Sequence, residues 1–427
     1  MINTEDLYEI YLQYPSVQTD TRRLKPGDLF FALKGPNFNA NEFAEKALNA
    51  GAAYAIIDDK RYSNSDKTIL VDDVLTTLQE LAKHHRLQLN IPFLAITGSN
   101  GKTTTKELIH AVLSSTFKTY TTEGNLNNHI GVPLTILKIR QDAEIAVIEM
   151  GANHLKEIAS YCEIALPTLG LITNCGKAHL EGFGSEEGVR KGKGELFDHL
   201  RAHKGTAFVM WDYVYLREMS AGIPNIYTYG TENTNTVGNV ATSGQQLAVQ
   251  FSKGFTGTIQ TNLVGDYNLP NVLAAVAVGK YFKVEGEKIK TSIENYNPTN
   301  SRSQLTQKNS NKIILDAYNA NPSSMKAAIE NFAKADGHEK ILALGAMAEL
   351  GADSLKEHQN IIKEIDKYQW KDVILVGGDF AKVDHTYRTF NSSANAGEWL
   401  HKMQPKNAFF LIKGSRSMQM EKLLDYL

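Results

Sequence analysis

The segment Leu94-Ala95-Ile96-Thr97-Gly98-Ser99-Asn100-Gly101-Lys102-Thr103-Thr104-Thr105 constrains this chain more than any other. An apolar strand ends at Thr97, a glycine-containing turn follows, and Lys-Thr opens a helical pattern from Lys106 to Leu113. That order specifies a strand–loop–helix unit, the building block of a parallel sheet with helices packed on it. Glycines let backbone N–H groups turn inward around phosphate oxygens, and the helix N-terminus adds positive potential. Lys102 is placed to reach the outer phosphates, and the Thr103 hydroxyl to sit on Mg²⁺. The full motif has a glycine five residues before Gly101, where this chain has Ile96, so the loop is a shortened TGxxGKT variant. Gly98, Ser99, Asn100, Gly101, Lys102, Thr103 and Thr104 are therefore candidate nucleotide contacts. A plain strand–turn–helix junction is the bland alternative. Such a loop specifies a nucleotide and leaves the reaction open.

At 427 residues the chain has length for about three domains. Lys plus Arg is 45 and Asp plus Glu is 47, a net charge of −2, which excludes the electrostatic footprint of a dedicated nucleic-acid binder. No apolar run reaches the ~18 residues of a membrane span. Met1 to Asp6 has neither a basic start nor an apolar core, so no signal peptide is expected there. Cys162 and Cys175 are too few for a disulfide framework and lack CxxC spacing, which suits a reducing cytoplasm.

The expected architecture is α/β in three domains. Residues 1–90 form a small N-terminal domain, with short strands at Asp28 to Leu33, Ala53 to Asp58 and Thr68 to Val71, and helices at Glu42 to Ala50 and Leu75 to Leu87. Ile91-Pro92 punctuates the chain. Residues 91–298 form a central nucleotide-binding domain with a mostly parallel sheet. Its buried-strand candidates are Phe93 to Thr97, Ile145 to Met150, Leu169 to Thr173 and Thr206 to Met210, with an antiparallel excursion from about Asn233 to Leu263. Residues 299–427 form a second doubly wound, Rossmann-like unit, with strands at Lys312 to Asp316, Ile341 to Leu344, Val373 to Val376 and Ala408 to Lys413.

Ligand crevices in parallel sheets open at strand C-termini. Glu149 ends a strand in Ala146-Val147-Ile148-Glu149-Met150-Gly151-Ala152-Asn153, where a carboxylate can hold a Mg²⁺ bridging phosphate oxygens. A solvated strand-end Glu is the competing reading. His179, in Thr173-Asn174-Cys175-Gly176-Lys177-Ala178-His179, follows another strand and suits a metal ligand or proton donor as well as a structural role. The amide-rich stretch Glu123 to Pro133 carries Asn125, Asn127 and Asn128, groups suited to a polar substrate or to an ordinary turn. Lys193, in Arg190-Lys191-Gly192-Lys193-Gly194-Glu195, reads locally as a solvated basic helix start.

Taken in order, TGSNGKT, GNLNNHIGVP, EMGAN, NCGKAHLEGFGS, KGKGELF, VGDYNLPNVLAA, DAYNANPSS and KGSRSMQME resemble the Mur ligase family of ATP-dependent amide-bond-forming enzymes. The resemblance spans nearly the whole chain. It is strongest to the branch that joins D-alanyl-D-alanine to UDP-N-acetylmuramoyl-tripeptide in the cytoplasmic stage of cell-wall synthesis. It implies that ATP phosphorylates the peptide's terminal carboxylate, that the dipeptide amine attacks the acyl phosphate, and that phosphate leaves. It also implies two Mg²⁺ ions held by Thr103, Glu149, His179 and a carbamylated Lys193, with Lys191 as the rival position. Asn268 is implied near the adenine. Arg302, Asp316, Asn319 and Asn321 are implied on the ATP from the third domain, whose closure would exclude water. Thr21 and Arg22 match the uridine-nucleotide domain, while Lys413, Ser415 and Arg416 could hold the dipeptide carboxylate. A soluble monomer without nucleic-acid or membrane partners is expected. Two departures stand out: Ala346 occupies a position usually held by Asp, and Asn39-Ala40-Asn41 replaces Asp-Gly-His.

Overall fold

The structure is a computed structural model that describes residues 2–242, 246–299 and 301–427. Asn300, at the head of the Arg302 segment, and residues 243–245 of the antiparallel excursion lie outside the described residues.

The first sheet contains β1 (Val17–Gln18), β2 (Leu29–Phe31), β5 (Tyr54–Ile57) and β6 (Thr68–Leu70), all parallel in that order, beside a ribbon of β3 (Lys34–Gly35) and β4 (Phe38–Asn39). Side chains alternate across a strand. Leu29, Phe31 and Ile56 therefore enter the core shared with the rest of the chain, while Phe30, Ala32, Ala55 and Ile57 build a separate small core. The helix Val74–Leu87 starts at Asp73, whose side chain accepts from the Thr76 N–H at 2.7 Å, as an N-cap should. Its far end is tied to the central domain. Arg86 donates to the Ala165 carbonyl at 2.8 Å and its guanidinium lies 3.8 Å from the Phe93 ring centre.

The central sheet has nine strands: β7 (Phe93–Thr97), β8 (Thr119–Thr121), β9 (Ile145–Glu149), β10 (Leu169–Ile172), β11 (Thr206–Met210), β12 (Asn225–Gly230), β13 (Thr236–Thr242), β14 (Gln246–Lys253) and β15 (Gly257–Val264). Their spatial order is β15-β14-β13-β12-β11-β10-β7-β9-β8. The sheet is parallel from β8 to β13 and antiparallel beyond, which places the expected excursion at one edge. Every residue of β7 and β9 is buried, as strands covered on both faces must be. Helix Leu269–Tyr281 is buried at each position from Asn271 to Gly279, and Gly279 lies so close to Val112 that a Cβ would stand 2.7 Å from its Cγ1.

The third sheet runs β16-β17-β21-β18-β19-β20, from β16 (Gln304–Lys308), β17 (Asn311–Asp316), β18 (Lys340–Gly345), β19 (Asp372–Val376), β20 (Arg388–Phe390) and β21 (Phe409–Lys413). Only the β16–β17 pair is antiparallel. β16 and β20 were not expected from sequence. They are edge strands in which one apolar residue each, Leu305 and Phe390, is partly buried among polar neighbours, so they lack the apolar run that marks a covered strand. Among the described residues no helix is long and apolar enough to cross a membrane.

Candidate active site

The C-terminal ends of β7, β9, β10 and β11 open into a cavity of about 840 Å³ that third-domain residues close from the other side. Its wall includes Ser99 to Thr104, Asn127, Asn128, Glu149, His179, Asn268, Arg302, Asp316, Asn319, Asn321 and Lys413.

The phosphate loop is shaped by contacts that demand glycine. Gly98 has φ +142°, and a Cβ there would lie 2.0 Å from Thr173 Oγ1. Gly101 has φ +79°, and its Cβ would meet Asn271 Oδ1 at 2.6 Å. Gly101 is also the N-cap of helix Lys102–Ser114 and contributes no side-chain cap, so no side chain competes there for the first-turn N–H groups. Lys102 Nζ donates back to the Gly98 carbonyl at 2.6 Å. Burial pushes its pKa down, Glu149 opposes this, and Arg302 adds to it.

Thr103 Oγ1 donates to Glu149 Oε1 at 3.2 Å, and Asn127 Nδ2 donates to the same oxygen at 2.8 Å. Glu149 is 1 % exposed, yet its Oε2 is buried without a partner. An unpaired buried carboxylate oxygen is costly and suits a hard cation. Among the described residues no group of three or more His, Cys, Asp and Glu is gathered as a metal cage. The Thr103 hydroxyl and the unpartnered Glu149 oxygen fit an ion such as Mg²⁺, which takes one or two carboxylates and completes its shell with phosphate and water.

Lys193 does not line the cavity but reaches its wall. It is fully buried, donates to the Ala152 carbonyl at 2.6 Å and lies 5.0 Å from the centre of the Phe183 ring. The solvated reading suggested by its local sequence is thus corrected: helix Glu186–Ala202 turns Lys193 inward with Val189, Leu196 and Phe197. Burial, then the charge of Lys102, pushes its pKa down to about 7. Lys191, the rival position, is exposed. His179 takes a left-handed conformation at φ 52°, and its Nδ1 lies 2.5 Å from Glu349 Oε2 of the third domain.

Other candidates also make structural hydrogen bonds. Asn268 donates to the Val264 carbonyl and accepts from Asn271, which in turn accepts from Thr105. Asn128 Oδ1 accepts from the Ile130 and Gly131 N–H groups. Lys413 pairs with Asp316 at 2.5 Å, and Ser415 Oγ donates to the Ala346 carbonyl at 2.5 Å. Thr21, Arg22, Asn125, Ser415 and Arg416 are not among the residues lining the cavity. Arg22 is exposed and paired with Asp20, and Asn125 is exposed. Asn41, at the altered Asp-Gly-His position, is fully buried and bonds Asp58 through both ends of its amide. Sequence reasoning missed four residues that line the cavity: Asn271 and Tyr318, which sit inside the VGDYNLPNVLAA and DAYNANPSS segments but are not singled out there, and Tyr213 and Tyr215, which belong to no motif. Arg302 and Arg416 lie 3.6 and 5.5 Å from the ring centre of Tyr318.

A phosphate loop facing a carboxylate and a buried lysine, closed by a second doubly wound domain, defines an ATP-dependent ligase of the three-domain type. The chain belongs to the Mur ligase family: the family's middle domain matches residues 96–279 and its glutamate ligase domain residues 301–416. It is 39 % identical to the UDP-N-acetylmuramoyl-tripeptide–D-alanyl-D-alanine ligase of Bacillus subtilis, over 78 % of this chain and 74 % of that one. With the Escherichia coli enzyme of the same name it shares 34 % identity over 96 % and 93 %. A crystal structure of MurF from Acinetobacter baumannii superposes with TM-score 0.87 at 30 % identity, covering 96 % and 92 %. MurF ligase from Thermotoga maritima, solved in complex with ADP, gives TM-score 0.87 at 26 % identity, covering 97 % of each chain. A folylpolyglutamate synthase from Mycobacterium tuberculosis shares the fold at 14 % identity and TM-score 0.62.

Proposed function

We propose that this chain joins D-alanyl-D-alanine to UDP-N-acetylmuramoyl-tripeptide with hydrolysis of ATP to ADP and phosphate, in the cytoplasmic stage of peptidoglycan assembly. The observation that carries the reading is the buried, half-partnered Glu149 beside Thr103 and Lys102, in a chain that relatives of this specificity match along most of its length.

A carboxylate is a poor electrophile because oxide is a poor leaving group, so the peptide's acid terminus is first phosphorylated by ATP. The dipeptide's amine then attacks the acyl carbon, and phosphate leaves with the electron pair. Bringing polyanions together calls for cationic neutralisation and fixed geometry. Lys102 supplies charge at the outer phosphates, and the first-turn N–H groups of its helix orient them. Thr103, Glu149, His179 and a carbamylated Lys193 would hold two Mg²⁺ ions, which would supply positive charge to offset that of the phosphates. The low pKa of Lys193 supports this, since the neutral amine adds CO₂ and releases one proton, leaving a carbamate whose oxygens are anionic donors. Asn268 would flank the adenine. Arg302, Asp316, Asn319 and Asn321 would hold the nucleotide from the third domain. Asn125, Asn127, Asn128, Thr21 and Arg22 would face the UDP-peptide. Lys413, Ser415 and Arg416 would take the dipeptide carboxylate.

The test is an acceptor panel. With the UDP-tripeptide and ATP present, D-alanyl-D-alanine stimulates phosphate release, whereas glutamate and lysine do not. Stimulation by glutamate or lysine alone would overturn the assignment.

A further inference from the structure

Residues 174–181 are held from two sides. The phosphate loop grips one: Ser99 N donates to the Asn174 carbonyl at 2.8 Å, Ser99 Oγ to the Gly176 carbonyl at 2.8 Å, and Asn100 N to Asn174 Oδ1 at 3.1 Å. The third domain grips the other. Lys177 N donates to Ser323 Oγ at 3.0 Å, Lys177 Nζ reaches Glu357 Oε1 at 2.7 Å, and Glu181 N donates to the Glu349 carbonyl at 3.2 Å. One direct strap, Asn321 Nδ2 to Asn100 Oδ1 at 2.8 Å, runs beside them.

Lys177 and Glu357 are not among the residues lining the cavity, so any effect on turnover passes through others. The Glu357 side chain is 5 % exposed and that of Lys177 39 %. A buried carboxylate is stable only while paired, and here the partner comes from a different domain. Glu357 Oε2 also accepts from Asn360 Nδ2 of its own helix at 3.4 Å, so what docking supplies is the cation opposite Oε1. Docking of the third domain and the shape of the phosphate loop thus share one short segment, with a buried carboxylate that meets Lys177 when both are in place.

We propose that Lys177 and Glu357 form an interdomain anchor, a pair of positioning residues through which third-domain docking sets Ser99 and Asn100 for phosphoryl transfer. The inference rests on the ligase reading above. In the anchored state the acyl phosphate meets the dipeptide amine. With the anchor loosened, water attacks it instead, returning the free carboxylate and phosphate, so that ATP is spent without an amide bond.

The test uses the full chain with ATP, UDP-N-acetylmuramoyl-tripeptide and D-alanyl-D-alanine, with phosphate and amide product measured separately. Lys177→Met and Glu357→Gln each lower kcat for amide formation roughly 2- to 30-fold, as coupling residues do. They also raise phosphate released per amide above one and leave KM for the UDP-tripeptide unchanged. The exchanged pair, Lys177→Glu with Glu357→Lys, restores the ratio. If Glu357→Gln unfolds, Lys177→Met carries the test, because its site is half-exposed. Phosphate and amide remaining equal in the single variants, or an exchanged pair no better than they are, overturns the anchor alone. A wild-type chain that makes no amide overturns the ligase reading and the anchor with it.

Discussion

Thr103 Oγ1 donates to Glu149 Oε1 across 3.2 Å, joining the first turn of one helix to the end of a strand while Glu149 Oε2 stays buried and unpartnered. A carboxylate held this way is a stability cost retained for function. Glu149→Gln is therefore expected to lower turnover by at least about 100-fold, the scale of losing a fixed electrostatic partner. The melting temperature of the ligand-free variant is expected to stay level or rise. Calorimetry beside a phosphate-release assay checks both. Normal turnover with a lowered Tm would make the residue structural.

Lys193 is fully buried against Ala152 and Phe183, with its pKa lowered to about 7 by burial and by Lys102. Lys193→Ala is expected to lose nearly all activity and to recover part of it when small carboxylates are added. Intact-mass analysis under CO₂ should show the carbamate adduct on the native chain and none on the variant. Undiminished activity in Lys193→Ala would move the metal ligand elsewhere.

Tyr318 carries two guanidinium groups over one ring, those of Arg302 and Arg416. A cation–π contact contributes about 0.5–2 kcal/mol, depending on how dry the site is. Tyr318→Leu should raise KM for ATP and for D-alanyl-D-alanine about 2- to 30-fold. Tyr318→Phe, which keeps the ring, should leave both near wild type. Equal damage from Phe and Leu would assign the effect to the hydroxyl and remove the stacking argument.

His85 is buried between the Tyr8 hydroxyl at 3.1 Å and the Ile139 carbonyl at 2.8 Å, and burial holds its pKa below the usual histidine value. The unfolded chain takes up a proton near pH 6.5 that the folded chain refuses. The unfolded state then binds more protons, so stability falls as pH drops below about 6.5, by no more than about 1.4 kcal/mol per pH unit from this residue. Urea midpoints at pH 7.5 and 5.5 should show that loss, and His85→Gln should flatten it. An equal slope in the variant would assign the dependence to other groups.

Strands covered on both faces were readable in advance because their apolar runs are unbroken: Phe93–Thr97, Ile145–Glu149 and Thr206–Met210 lie within a residue of where the sequence puts them. The edge strands Thr119–Thr121, Gln304–Lys308 and Arg388–Phe390 were not, since one-sided burial leaves a mixed pattern. The phosphate loop was legible because its mechanism is local. Burial of Lys193 was not, because a run of Arg, Lys and Gly shows no face until its helix is packed. Lys177 meets Glu357, and His179 meets Glu349, only where two domains touch, and no spacing along the chain encodes that. The guanidinium groups over Tyr318 come from Arg302 before it and Arg416 well after it, brought together by the third domain's own fold. Asn128 and Ser415 show the converse: polar residues that look available in sequence bond to the backbone in the fold.

The central claim is that this cavity makes a peptide bond at the expense of ATP. The direct measurement incubates the full chain with UDP-N-acetylmuramoyl-tripeptide, D-alanyl-D-alanine, ATP and Mg²⁺, and follows the UDP-pentapeptide by mass spectrometry. Wild-type protein should form it in step with ADP, and Lys102→Ala, folded to the same melting temperature, should form none. ATP hydrolysis that ignores both substrates and yields no pentapeptide would contradict the account.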